Sequence, residues 1–385
     1  MTSKPRVLVI FGNIPLLGQE RGNIQVFKAL EHDVDALFVT HAGYGHEIIQ
    51  PTLDALGLEW TTATFPGRLS RGMSMRQWQD RIQEIVQNNW EFLRIVREFQ
   101  PTHIHASNAS HFLNLFPALW LLRTPIVYRL GDAPQQHRPL FRFLWRRLFI
   151  PRVDRFVCIS QYIRRLLLDA GGNPDAIDVI YNHPAVRPAP TQVASLPEPY
   201  SGRTVLYMGQ ISEEKGVGLL VESAIALCAE YPDVRFLIAG DYSWQNPFAE
   251  ALIQHVGDLG LSDRVRFLGY VEDIPALLAQ ADVHACPSVW EEPLSNVVPE
   301  AKQAGVPSVV FASGGLPELV VEQGVDGYVC EASSAEALAA GLRYYLDLDE
   351  PSLATAKSAA VASLAVLGIT EESFREAWKR VYESV

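Results

Sequence analysis

Pro287–Gly305, PSVWEEPLSNVVPEAKQAG, is the stretch whose reading decides the fold. The apolar run Val283–Cys286 before it reads as a strand, its second half Val297–Ala304 is patterned as a helix, and Val306–Phe311 after it is again a strand. Strand, loop, helix and strand in that order form a βαβ unit, whose two strands run parallel. Upstream the alternation continues with strands at Thr204–Met208, Val234–Ala239 and Val265–Leu268. Helices are expected at about Val217–Tyr231, Pro247–Leu259 and Ile274–Ala279.

Further upstream the pattern stops. Residues 184–203 carry Pro184, Pro188, Pro190, Pro197 and Pro199 in a polar setting, which suits a linker. Before it lies a second alternating region, with strands at Arg6–Phe11, Asp35–Thr40, His103–Ala106, Ile126–Arg129, Arg155–Ile159 and Ala176–Ile180. Its longest helix is Ser74–Phe99, in which Trp78, Ile82, Ile85, Val86, Trp90, Leu93 and Val96 recur at helical spacing. The expectation is two Rossmann-like domains of the α/β class, each with a parallel sheet, facing one another across a cleft. Their bounds are 1–185, a linker 186–203, 204–370, and a final segment 371–385. Ligands in such sheets sit beyond the carboxyl ends of the strands.

Composition narrows the function. The chain has 385 residues, long enough for two cores, with 48% hydrophobic and 20% charged residues, which excludes a disordered chain. The formal net charge of -12 argues against a nucleic-acid partner. The apolar run in MTSKPRVLVIFGN is too short for a signal peptide, and no stretch of eighteen uninterrupted apolar residues occurs. Cys158, Cys228, Cys286 and Cys330 lack metal or redox spacing, so they are expected as reduced, buried thiols in a cytoplasmic protein.

Several constellations carry chemistry. In Pro287–Gly305, Ser295 or Asn296 can cap the helix, Pro299 fits its first turn, and the N–H groups of Asn296, Val297 and Val298 make an anion site. Glu292 before the helix and Glu300 within it flank that site and can accept hydrogen bonds from sugar hydroxyls. The alternative is a solvated loop glutamate and an ordinary helix glutamate. In Tyr207–Gly218, YMGQISEEKGVG, Lys215 stands ahead of a helix start, where a cation opposes the dipole unless an anion lies between them. A diphosphate is the obvious anion, and Lys215 would neutralise charge growing on it; the alternative is a surface lysine.

Phe11–Gly22, FGNIPLLGQERG, is a glycine loop without the dinucleotide fingerprint, and Ser313–Glu318, SGGLPE, a second glycine turn between strand and helix. His137–Arg155, HRPLFRFLWRRLFIPRVDR, interleaves six arginines with aromatic and aliphatic residues. It reads either as a helix on an anionic membrane, giving peripheral contact through 138–155, or as a helix packed on the sheet with its arginines in water. Arg68, Arg71 and Arg76 add positive charge.

The run from Tyr207 to Gly305 resembles the retaining glycosyltransferases of family 4, which have the GT-B fold. The matching pieces are YMGQISEEKGVGLLVES, VRFLIAGD, LGLSDRVRFLGYVEDIPALLAQADVHACPS, WEEPLSNVVPEA, AGVPSVV and GGLPELV, in the family's order. DRFVCISQYIRRLLL, VIYNHP and the opening strand extend the likeness to the first half, and Phe374–Tyr382 looks like the last helix that crosses back to the N-terminal domain.

The resemblance implies a hexosyltransferase acting from a nucleoside-diphosphate sugar, with no cofactor and no metal, by front-face substitution with retention. Lys215 and Glu292 would be the catalytic pair. The donor would be held by Gly18, Gln210, Lys215, Glu292, Ser295, Asn296, Val297 and Glu300, with Glu300 on the ribose. A hydroxyl of a glycan or lipid-linked glycan would accept the sugar, on the cytoplasmic side and at the inner face of a membrane. The chain departs from the family at Gln210, where an arginine is usual, at Ser295, where glycine is usual, and in the first loop, where a glycine pair is reduced to Gly18. The family's acceptor-side histidine is missing from YRLGDAP, leaving Arg129, Asp132 or His137 as stand-ins. A phosphorylase or epimerase of the same fold, or a nucleotide-sugar-binding scaffold without catalysis, are the other readings.

Overall fold

The computed structural model describes residues 4–12, 18–43, 48–66, 74–134, 139–184, 198, 200–242 and 246–385. The chain divides into two compact units, Met1–Ala185 with Glu371–Val385, and Val186–Thr370.

The first unit is built on a parallel sheet of seven strands: β1 (Arg6–Gly12), β2 (Asp35–His41), β3 (Glu59–Ala63), β4 (His103–Ala106), β5 (Ile126–Leu130), β6 (Arg155–Cys158) and β7 (Ile177–Val179). Their order is β3-β2-β1-β4-β5-β6-β7. Its helices are α1 (Gly18–Ala29), α2 (Ile49–Ala55), α3 (Met75–Phe99), α4 (Ala109–Asn114), α5 (Phe116–Leu121), α6 (Pro139–Leu144), α7 (Ile150–Arg152) and α8 (Gln161–Asp169). The order steps outward from β1 to β3 and then returns through β4 to β7. Right-handed crossovers therefore put α1 and α2 on one face and α3 to α8 on the other.

On the α1 face, Val7, Val9 and Phe11 pack with Ile24 and Phe27 of α1 and with Ile49 and Leu53 of α2. The last helix of the chain, Glu371–Glu383, joins that core through Phe374, Trp378, Val381 and Tyr382. The Tyr382 hydroxyl lies 2.7 Å from Nδ1 of the buried His105, whose Nε2 lies 3.2 Å from Oδ1 of Asn23. The helix α3 starts at a capping box. Ser74 Oγ accepts from the Gln77 amide at 3.3 Å, and the Gln77 side chain accepts from the Ser74 amide at 2.8 Å.

The second unit has six parallel strands: β8 (Arg203–Met208), β9 (Val234–Ala239), β10 (Val265–Gly269), β11 (Val283–Cys286), β12 (Ser308–Phe311) and β13 (Gly327–Cys330), in the order β10-β9-β8-β11-β12-β13. Its helices are α9 (Val217–Glu230), α10 (Pro247–Asp258), α11 (Ile274–Leu278), α12 (Val297–Gln303), α13 (Ala335–Leu346) and α14 (Glu350–Val366). The last helix, Glu371–Glu383 of the first unit, is α15. The two faces of β8 show the period of two: Val205 and Tyr207 pack with α9 and α13, while Leu206 and Met208 pack with α11 and α12. Both sheets are the parallel α/β layers that the alternating pattern calls for. The pattern does not give β3 or β13, two short edge strands.

Within residues 350–383 one window of 18 residues reaches a mean hydropathy of 1.5, enough by length and composition to cross a membrane. The segment forms two helices, and Leu353, Ala356, Ala360 and Leu364 of α14 are buried in the second unit, while Phe374 and Trp378 of α15 are buried in the first. All four cysteines are buried and free.

Candidate active site

Three loops leave the carboxyl ends of β8, β11 and β12 and fasten to one another. The first begins at Gly209, where the Tyr207 hydroxyl donates to the Gln210 carbonyl at 2.7 Å and fixes the turn. It ends at Gly216, with φ +70°, which opens α9. A Cβ at Gly216 would lie 1.9 Å from the Pro287 carbonyl oxygen, so only glycine allows this approach to the second loop. The Glu214 carbonyl then accepts from the amides of Val289 at 3.0 Å and Trp290 at 3.2 Å. Ser288 Oγ lies 3.2 Å from the same carbonyl.

The third loop holds the second from the other side. The Gly315 amide donates to the Glu292 carbonyl at 2.7 Å, and Ser313 Oγ donates to the Trp290 carbonyl. Gly314 has φ +56°, and a Cβ there would lie 2.1 Å from the same Glu292 oxygen.

This clamp presents the Glu292 side chain to Lys215. Lys215 Nζ lies 2.5 Å from Glu292 Oε2, with the lysine side chain 30% and the glutamate 14% exposed. Ser288 Oγ is 3.2 Å from the same carboxylate oxygen, so its single proton serves either Glu292 or the Glu214 carbonyl. Beneath the pair lies Cys286, whose thiol donates to Ser295 Oγ at 3.7 Å. Burial, helped by the charge of Glu292, pushes that thiol up to about 11, so it stays protonated. Burial likewise raises the Tyr207 phenol, with Cys286 and Glu292 adding to the effect. The ion pair therefore rests on neutral, buried groups, and any charge brought to it is weakly screened.

The structure brings Lys215, Glu292 and Ser295 to one place. Ser295 does not cap α12, because its hydroxyl faces Cys286, and Asn296 occupies the N-cap with helical dihedrals and no side-chain cap bond. The expectation of a side-chain cap is thus corrected, and the first-turn amides of α12 are left to other acceptors. Glu300 lies one turn into α12 and is buried. Gln210 is exposed, and its carbonyl rather than its side chain holds the loop.

The other candidates belong to the first unit. Gly18 opens α1 after β1 and is exposed. Arg129 is 2% exposed, and its guanidinium donates to Asn182 Oδ1 at 2.6 Å and to the Gln19 carbonyl at 3.4 Å. Burial lowers it to about 10. Asp132 is exposed on the following loop and interacts with that charge. His137, Arg68 and Arg71 lie outside the described residues.

Sequence reasoning misses His111, on α4 at the carboxyl end of the first sheet. It is 4% exposed, its ring occupies the space a Cβ on Gly12 would need (2.4 Å), and its Nδ1 has no partner among the described residues. It also misses Gly216 and the hydroxyl of Ser288, and it marks Gly314 as part of a glycine turn without its packing on Glu292. The double glycine of SGGLPE signals a close backbone approach, but what it approaches is not written in the sequence. Among the described residues no group of His, Cys, Asp and Glu is placed to hold a metal ion. A separate cavity of about 570 Å³ lies at the amino ends of β8, β9 and β11, lined by Arg203, Arg235, Asp282 and Lys357. It is at the opposite edge of the sheet from the clamp. Lys357 is paired with Asp282 at 2.8 Å, and Arg235 is bonded to Thr204 and Gln280. Parallel α/β sheets bind at their carboxyl ends, so the clamp is the candidate active site.

Comparison with known proteins identifies the family and the fold. Residues 25–183 match the family described as Glycosyltransferase Family 4, and residues 189–361 match Glycosyl transferases group 1. The spore coat protein SA of Bacillus subtilis (strain 168) is 35% identical over 131 residues, 33% of this chain and 34% of that protein. The lipopolysaccharide core biosynthesis glycosyltransferase LpsD of Rhizobium meliloti (strain 1021) is 28% identical over 76% of this chain and 78% of its own. The phosphatidyl-myo-inositol mannosyltransferase of Mycobacterium leprae (strain TN) is 30% identical over 64% of this chain and 63% of its own. The match thus spans about a third of the first of these relatives and just under two thirds of the last. Among solved structures, Anabaena Alr3699/HepE in complex with UDP superposes with a TM-score of 0.80 at 23% identity over 100% of both chains. The chain belongs to the family 4 glycosyltransferases, the glycosyl transferases of group 1, and its two parallel α/β sheets are those of the GT-B fold.

Proposed function

We propose that this chain is a retaining, metal-independent hexosyltransferase that moves a sugar from a nucleoside-diphosphate sugar to a hydroxyl of a glycan or lipid-linked glycan. The observation that carries the reading is the Lys215–Glu292 pair, held at the carboxyl ends of β8 and β11 by three interlocked loops. A nucleotide sugar offers an anion and a polyol side by side, which are the two partners that an ammonium and a carboxylate need when they separate. Lys215 turns to the diphosphate, and Glu292 accepts hydrogen bonds from the sugar hydroxyls. The amides of Ser295, Asn296 and Val297 at the start of α12 add donors to the diphosphate, Gln210 approaches it, and Glu300 takes the ribose hydroxyls.

In the transfer step the bond from the anomeric carbon to the diphosphate oxygen breaks while the acceptor oxygen bonds to the same face. The acceptor proton goes to the departing phosphate oxygen. Charge therefore grows on the diphosphate, where Lys215 and the amides are already aimed. Relatives named for lipopolysaccharide core synthesis and for an inositol lipid support a lipid-linked or oligosaccharide acceptor. HepE, solved with UDP-glucose, supports a uridine donor. A charged nucleotide sugar is confined to the cytoplasm, so transfer runs on the inner face of the membrane.

The test is a thermal-shift screen with UDP-, GDP- and ADP-sugars, followed by NMR of the product made from the best donor. The reading expects one nucleotide to raise the midpoint and the product to keep the donor's anomeric configuration. An inverted product, or donor binding with neither transfer nor slow hydrolysis, overturns it.

A further inference from the structure

The exposed large apolar side chains of the first unit are concentrated in one helical layer. On α3, Trp78, Ile82, Val86 and Trp90 are 43%, 55%, 64% and 63% exposed, and at intervals of four they form one continuous stripe. Met75 extends it by one turn, while the second half of the helix buries Asn88, Asn89, Phe92 and Ile95. The sequence pattern marks these residues as the apolar side of a helix, and the structure shows that the first three turns turn that side to solvent. Neighbouring α5 exposes Trp120 and Leu121, and α6 exposes Leu140 and Phe143.

These helices form one layer. They are crossovers running in the same direction along the sheet and so lie on the same face. Asn89 of α3 bonds the Ala118 amide of α5 at 2.8 Å, and Arg152 of α7 bonds the carbonyls of Leu119, Leu122 and Thr124 behind α5.

The charge of the layer is opposite to that of the chain. Residues 74–123 and 139–169 contain twelve arginines, no lysine, and six carboxylates, a net +6 in a chain whose net charge is -12. Within 138–155, where the sequence placed a membrane contact, Arg146, Arg152 and Arg155 are tied to chain carbonyls or to Asp178, and Trp145 and Phe149 are buried. Arg142 and Arg147 remain exposed beside Phe143, and Arg94 and Arg123 beside the tryptophans of α3 and α5.

We propose that this layer docks the first unit onto an anionic lipid bilayer, with the α3 stripe as the inserted element and the exposed Arg123, Arg142 and Arg147 on lipid phosphates. Tryptophan suits the headgroup boundary because its ring is apolar and its N–H is polar. A surface helix with an apolar stripe and flanking arginines binds by shallow insertion plus attraction to anionic lipid. The charge sets the choice of partner. Two copies meeting through this layer would bring like charges together, whereas an anionic bilayer neutralises them.

The experiment is flotation of the full chain with vesicles of phosphatidylcholine alone or mixed equally with phosphatidylglycerol. Binding to the mixed vesicles is expected to exceed binding to neutral ones by about tenfold or more and to fall steeply with salt. The W78Q/I82Q/V86Q/W90Q variant should lose at least about tenfold in vesicle binding while keeping its circular dichroism and nucleotide thermal shift. R142E/R147E, which leaves α3 intact, should weaken binding to the mixed vesicles alone. In the unaltered chain, brominated lipid should quench tryptophan fluorescence. Equal binding to both vesicles, unchanged binding of the α3 variant, or sedimentation showing a dimer that this variant abolishes, each overturns the proposal. These readouts do not involve transfer, so they stand or fall apart from the proposed reaction.

Discussion

Lys215 and Glu292, 77 residues apart in the chain, occupy each other's binding capacity: the ammonium lies 2.5 Å from one carboxylate oxygen. A donor sugar must separate them, giving the diphosphate to one and the hydroxyls to the other. A nucleoside diphosphate without its sugar has partners for Lys215 but none for Glu292. Glu292→Gln removes the competing charge, so UDP alone should bind several-fold more tightly. Sugar transfer should fall by about a hundredfold, since a half-buried carboxylate that grips the reacting sugar is lost. Calorimetry with UDP and a transfer assay measure the two, and weaker UDP binding would refute the exchange.

Lys215→Ala tests the other partner. If the ammonium acts on charge that develops as the diphosphate leaves, kcat should drop by about 10²–10³ while donor affinity changes far less. Glu292 then loses its counter-charge but keeps Ser288 Oγ at 3.2 Å. Equal losses in kcat and in donor binding would assign Lys215 to ground-state binding alone.

Much of this arrangement is legible in the amino-acid sequence. Strands such as Val234–Ala239 and Val283–Cys286 are short, mainly apolar runs, each with one polar residue (Arg235, His284), buried on both faces, and the structure has them at the same residues. The edge strand EWTTA, Glu59–Ala63, escapes notice because only Ala63 of its residues is buried, so it carries no apolar run. Helical spacing locates α3 but misjudges its environment. Periodicity tells that a helix has an apolar side and says nothing of what covers that side, and Trp78 and Trp90 are exposed. Lys215 and Glu292 are each singled out by their place before a helix. Their contact is not, since it depends on how the loops after β8 and β11 lie against each other, and Glu214, Ser288 and Gly216 settle that.

The third loop makes a separate prediction. Gly314→Ala places a methyl 2.1 Å from the Glu292 carbonyl oxygen and asks an L residue to adopt φ +56°. Gly260→Ala asks for φ +68° with nothing within 4 Å, so it carries the backbone strain without the clash. Gly260→Ala should lose about 1–2 kcal/mol of stability, and Gly314→Ala more, by the cost of relieving the clash. Only Gly314→Ala should also raise the donor KM and lower kcat, because Glu292 must move. Urea unfolding and donor kinetics on the two variants separate the effects; unchanged kinetics in Gly314→Ala would show that the clamp does not position the carboxylate.

Acid should act unequally on the two units. Burial lowers His105 to about 3, with the charge of Arg129 adding to it, and lowers His111 to about 4, with His41 adding; both are in the first unit. In the second unit burial lowers His284 to about 3. Each is neutral when folded and titrates near 6.5 when unfolded. Below that value the unfolded chain takes up protons that the fold excludes. The stability is therefore fully present above about 6.5 and is lost as the pH falls toward the folded values, at about 1.4 kcal/mol per pH unit for each histidine. At pH 5 this comes to about 4 kcal/mol for the first unit and about 2 for the second. Burial also depresses His103 and His183, both in the first unit, which adds to the difference. Six of the eight tryptophans belong to the first unit, so urea titration followed by tryptophan fluorescence reports mainly on it. Its midpoint should fall between pH 7 and 5, and His105→Gln should flatten that fall by about one histidine's share. An unchanged slope in the variant would mean that His105 is not excluded from protonation in the folded chain.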